Sequence, residues 1–181
     1  VLLKNLVSCL LMIQYFVQRR VFRPKYQFGF WINSEKLLSN IFLDHFIEAH
    51  KAQAADALNE LAQGQKQTHW MWFIFPIIQG LGKSDTAQYY AIESIDEAKA
   101  FINHPYLGNN YKNCLEAILG HQDKTTKTIF NSQIDDWKFR SSLTLFKNLP
   151  SKNSQTENIQ RCLKHFYNNE PCSKTLEILQ R

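Results

Sequence analysis

Two stretches of the chain hold the residues best suited to chemistry. In the first, His69 precedes Trp70, Met71 and Trp72. An imidazole that donates or accepts a proton beside indole faces that stack on a planar ring suits a nucleobase or nicotinamide. Against this stands the plainer reading that both tryptophans are core and His69 is a hydrogen-bonded core histidine. The second stretch carries Lys138, Arg140, Ser141, Ser142 and Thr144. On a helix Lys138, Ser141 and Ser142 share a face at spacings of three and four, and their ammonium and hydroxyl groups are fit to hold a phosphate or carboxylate. Hydroxyls on a core-facing helix also serve close packing or bond back to the preceding turn.

A hydrolytic reaction would need a carboxylate near these groups. Glu48 and Glu60 fall on the first predicted helix, and Glu48 is the nominated base, with His69 as the other catalytic candidate. Asp135 and Asp136 precede a helix, where adjacent aspartates act as a cap and a solvated charge. His45 and His50 lie five apart and share no helix face well, while Cys9, Cys114, Cys162 and Cys172 form no C-x-x-C pair. No metal site and no cofactor are therefore expected. Gly80-Leu81-Gly82-Lys83-Ser84 lacks the spacer of a phosphate loop and reads as a turn. No base stands at a diagnostic distance from either serine, which argues against a serine nucleophile.

These residues need helices to position them. Phe42, Phe46, Ala49, Gln53 and Ala57, with Leu58 and Leu61, trace an apolar stripe ending near Gly64. The run from Thr68 to Pro76 is too apolar for a surface loop and too aromatic to assign by period. Ser84 or Asp85 caps a short helix, and Ser94-Ile95-Asp96-Glu97 fits a capping box for a helix ending before Pro105. Leu107, Tyr111, Cys114, Leu115 and Ile118 form the next stripe, with Gly120 in the place of a left-handed residue. Asp135 or Asp136 is expected to cap Trp137 to Leu149, Ser154-Gln155-Thr156-Glu157 to open another helix, and Pro171 with Ser173 a last short one. The pattern predicts a mainly α, compact single-domain bundle of six to seven helices over residues 41–181, preceded by an N-terminal extension over residues 1–40.

Charge separates these two parts. The net +5 sits in the first forty residues, where Lys4, Arg19, Arg20, Arg23, Lys25 and Lys36 face Glu35 alone, and the remainder is neutral. Without a clustered basic surface, the domain is not expected to bind nucleic acid. Residues 2–17 are apolar but interrupted by Lys4, Asn5 and Gln14, too short to span a bilayer, and lack a small-residue cleavage site before the basic segment 18–24. Contact of this extension with an anionic membrane surface is a minor expectation. Reduced cysteines and no clear export signal point to the cytoplasm.

His69-Trp70-Met71-Trp72-Phe73-Ile74-Phe75-Pro76 and Lys138-Phe139-Arg140-Ser141-Ser142-Leu143-Thr144-Leu145-Phe146 resemble the signatures of the bacterial family known as domain of unknown function 1810. Gly80-Leu81-Gly82-Lys83-Ser84, Tyr90-Ala91-Ile92 and His104-Pro105-Tyr106-Leu107-Gly108 match its pattern in order, so the resemblance runs from about residue 41 to the C-terminus. Thr68, Ile77, Leu143 and His50 depart from it, standing where the family usually has Ser, Gln, Met and Gln. The resemblance implies a helical domain and brings no reaction, substrate or cofactor with it. In overall helical plan alone the chain is similar to the NADAR group of ADP-ribose-linked N-glycosidases, none of whose motifs aligns here. The expected function is binding of a small anionic metabolite, nucleotide or ADP-ribose-like, or hydrolysis of an N-glycosidic bond. Trp70, Trp72, Lys138, Ser141 and Ser142 are the expected ligand contacts. A non-catalytic protein-interaction module is the alternative.

Overall fold

A computed structural model describes residues 34–150 and 155–180, with side chains from residue 43 onward. The apolar run 2–17, the basic segment 18–24 and the membrane contact expected there lie outside the described residues, as does Ser154. The first helix, α1 (Ser34–Gln63), is the longest at 30 residues. It starts within the predicted extension, seven residues before residue 41 (41 − 34). Leu43, Phe46, His50, Ala54, Ala57 and Leu61 are buried along it, at the three- and four-residue spacing of one face. Gly64, at φ +68°, ends it: its N–H reaches Leu61 O at 3.0 Å and that of Gln65 reaches Glu60 O at 3.0 Å, a Schellman closure. The positive φ is what calls for glycine, and a Cβ at Gly64 would also come within 2.6 Å of Lys124 Nζ and 2.8 Å of His121 Cε1, which would have to move aside. His121 adds a third tie by donating from Nε2 to Leu61 O at 2.8 Å.

The aromatic run whose backbone the sequence left open folds as a single turn, α2 (Met71–Ile74), with Trp70 and Phe75 buried on either side. Beyond Pro76 the chain makes one isolated parallel bridge, Ile78 to Ile92. Three further helices follow: α3 (Asp85–Tyr89), α4 (Ile95–Asn103) and α5 (Leu107–Leu119). Ser84 caps α3 and Ser94 caps α4, each accepting an N–H three residues on. In the second box the Glu97 carboxylate reaches back to Glu93 N at 2.7 Å, one residue before the cap. His104 does for α5 what a serine does elsewhere, its Nδ1 accepting from Tyr106 N at 3.2 Å and Leu107 N at 3.3 Å. Gly120 is not left-handed as expected: its φ is −67°, and the helix runs on into it.

Next come α6 (Thr126–Phe130), α7 (Gln133–Lys147), α8 (Thr156–Tyr167) and α9 (Ser173–Leu179). The cap of α7 is Ser132, whose hydroxyl accepts from Asp135 N at 3.2 Å, and neither aspartate plays that part. Nine helices thus appear among the described residues against six to seven expected, and the ones the sequence pattern does not announce are α2 and α6, of four and five residues. Helix α5 lies at the centre, packed on α1, α4 and α8, while α7 packs on α2, α4, α6, α8 and α9. Between them sits a core of rings, in which Phe75 meets Tyr111 and Phe139 edge-on at 5.3 and 4.8 Å. Among the described residues no helix is long and apolar enough to cross a membrane.

Candidate functional site

The loop from Gly64 to α2 has no regular structure of its own, and one carboxylate holds it. Glu60 is buried near the end of α1; its Oε2 accepts from Gln67 N at 2.8 Å, Thr68 N at 3.1 Å and Trp70 Nε1 at 2.8 Å, and its Oε1 accepts from Thr68 Oγ1 at 2.6 Å. Burial alone would raise this carboxyl, but the donors outweigh it and hold it below the ordinary glutamate value. Trp70 is fully buried, its ring tilted or edge-on against Phe75 and Phe130, so neither indole face is open to a ligand. Thr68 makes this bond with its hydroxyl, which a serine would also supply.

From this loop Lys66 reaches across to α7. Its backbone N–H is fixed on Ile129 O at 2.7 Å, and its ammonium lies 3.0 Å from Asp135 Oδ2 and 5.2 Å from the centre of the Trp70 ring. Lys138, one turn along α7, places its ammonium 3.2 Å from Asp135 Oδ1 and 4.6 Å from the Trp72 ring centre. Two ammonium groups therefore share one carboxylate, with side-chain exposures of 9% for Lys66, 17% for Lys138 and 12% for Asp135. Trp72 is half-buried, and His69, exposed, sits 6.3 Å from it between ring centres.

The other predicted contacts point elsewhere. Ser141 is buried and bonded to Thr175 Oγ1 at 2.8 Å; Ser142 is buried and lies 3.4 Å from the Tyr111 hydroxyl. Arg140 donates to Glu170 O at 2.9 Å and Glu170 Oε2 at 3.0 Å, and Thr144 Oγ1 accepts from Cys172 N at 2.9 Å while donating to Arg140 O at 2.8 Å. This half of the second motif is a rack that fastens residues 170–175 to α7. Glu48 is on the exposed side of α1, bonded by Lys51 at 2.8 Å, and about 18 Å along the helix from Glu60. The structure thus brings together Lys138, Trp72 and His69 and leaves Glu48, Ser141 and Ser142 apart from them.

Sequence reasoning missed Lys66 and read Asp135 as a cap or a solvated charge. The spacing of three between Asp135 and Lys138 was a legible signal, whereas Lys66 comes from a loop that no pattern ties to α7. Among the described residues no group of His, Cys, Asp or Glu is arranged to hold a metal. Burial pushes the thiols of Cys114 and Cys162 up to about 12, which makes them inert packing groups.

Comparison with known proteins agrees with the fold and adds no activity. The model of a family described as "Protein of unknown function (DUF1810)" matches residues 40–179. The crystal structure of the conserved hypothetical protein Rv1873 from Mycobacterium tuberculosis superposes with a TM-score of 0.72 at 32% identity, covering 77% of this chain and 96% of that one. No curated protein matches the chain significantly.

Proposed function

The chain belongs to the DUF1810 family of proteins of unknown function, and from that premise we propose that it binds a small anionic metabolite carrying a planar ring. Carrying this reading is the sharing of Asp135 by the nearly buried Lys66 and Lys138 beside half-exposed Trp72. An oxyanion accepts from both ammonium groups, and a ring such as a nucleobase or nicotinamide lies against the indole with His69 at its edge. Nucleotide and ADP-ribose-like ligands combine these two features.

Binding is favoured over hydrolysis of an N-glycosidic bond, because no carboxylate here is poised to activate water. Glu48 is remote, both Glu60 oxygens are taken by donors of the loop, and each Asp135 oxygen faces an ammonium. The test is the thermal shift of the full chain with NAD, ADP-ribose, nucleotides and simple carboxylates. A rise lost in both Lys66→Ala and Lys138→Ala is expected. A flat panel would instead favour the interaction-module reading, which draws on Ile134 and Trp137, each 61% exposed and three residues apart on α7.

A further inference from the structure

The lysine pair also limits the charge of what it takes, an inference that rests on its being an anion site. Lys66 and Lys138 bring two positive charges and Asp135 one negative, and all three side chains are less than one-fifth exposed. An ammonium has three N–H donors. Among the described residues Asp135 is the carboxylate within ion-pair distance of either ammonium, and Lys66 and Lys138 otherwise lie over the Trp70 and Trp72 rings. Glu60 keeps its negative charge but supplies neither ammonium with an acceptor. Its two oxygens are engaged by Gln67, Thr68 and Trp70, and it forms no ion pair among the described residues.

Counted over these three side chains there is one positive charge more than negative, and each ammonium has N–H donors that Asp135 does not use. A group with one negative charge and two oxygens completes this set, each oxygen accepting from one lysine as Asp135 does from the other side. A doubly charged group would overshoot, leaving one negative charge near the Asp135 carboxylate. We infer that the ligand presents a singly charged oxyanion, a carboxylate or a diester-type phosphoryl group, to Lys66 and Lys138, with its planar ring against Trp72 and His69. A terminal phosphate monoester is disfavoured.

Isothermal titration calorimetry on the full chain tests this with AMP, its 5′-methyl ester and nicotinate. At a pH well above about 6 AMP is doubly charged, while the ester has the same ring and sugar and one charge fewer. The ester is expected to bind at least about tenfold more tightly than AMP, and Asp135→Asn, which raises the cluster to two net positive charges, to reverse that order. Binding of nicotinate without the ester would identify the anion as a carboxylate, and the reverse as a phosphoryl group. Lys138→Gln, which removes the excess charge, should abolish binding of whichever probe binds, and it provides a second variant if Asp135→Asn fails to fold. Equal or tighter binding of AMP that still depends on both lysines would overturn the charge inference and leave the anion site standing. No lysine-dependent binding of any probe would overturn both.

Discussion

The two ends of α7 put their polar residues to different uses. Toward the C-terminal end, Arg140, Ser141, Ser142 and Thr144 all find partners within the fold. At the N-terminal end, Lys66 and Lys138 share a carboxylate and keep donors to spare. Hydroxyls and a guanidinium in this stretch thus serve to fasten the chain, while the lysine end holds the cations of the candidate site. Glu60 and His50 belong with the first kind. His50 donates from Nε2 to Phe73 O at 2.8 Å, and its Nδ1 accepts from Asn110 Nδ2 at 3.1 Å.

The largest effect that would separate the two kinds is expected at Glu60. Glu60→Ala strands two backbone N–H groups and the Trp70 indole N–H, and should cost about 3–5 kcal/mol in urea unfolding; a loss below about 1 kcal/mol would mean the loop is held by something else. Next is the acid response of His50. Burial lowers its pKa to about 4, against an unfolded value of 6.5. Its stabilising contribution is full above the unfolded value and fades as the pH falls from there toward 4, by about 3 kcal/mol in all. A stability curve showing no loss attributable to His50 in that window would contradict the assignment.

A smaller effect contrasts the two ends directly. Thr144→Val removes the acceptor for Cys172 N and should lower stability by about 1–2 kcal/mol while leaving anion binding unchanged. Lys138→Ala should do the opposite, abolishing the anion-induced thermal shift at a stability cost within about 1 kcal/mol, because Asp135 keeps Lys66. If both variants lost binding to the same extent, the division of α7 would fail. The smallest effect belongs to His50→Gln. The glutamine amide can donate to Phe73 O and accept from Asn110, so stability at neutral pH should change by less than about 0.5 kcal/mol, with the His50 acid response removed.

Much of the fold was legible because helix period, capping serines and glycine stops are local signals. Ser84, Ser94 and the stop at Gly64 act as read, while the α1 stripe holds at Phe46, Ala57 and Leu61 and the buried face runs through Leu43, His50 and Ala54 rather than Ala49 and Gln53. The caps that escaped were His104 for α5, since histidine is not a usual capping residue, and Ser132 for α7, which lies three residues before Asp135 and was passed over for the adjacent aspartates. For the site, Trp72, His69 and Lys138 were visible by type. Their partners depended on which way α7 rolls, and that is set by Phe139 and Phe146 packing into the ring core rather than by the spacing of Lys138, Ser141 and Ser142. That roll sends the two serines to Thr175 and Tyr111, and it brings Asp135 under Lys66.

The ion pair between Lys66 and Asp135 closes a long loop of chain that contains α2 through α6. Its ends meet only after the entropy of that closure has been overcome by packing of the intervening helices. The lysine cluster is therefore absent from any fragment that stops before α7. A ligand that bridges its two lysines would act as a cross-link, favouring the state in which both halves of the domain have met.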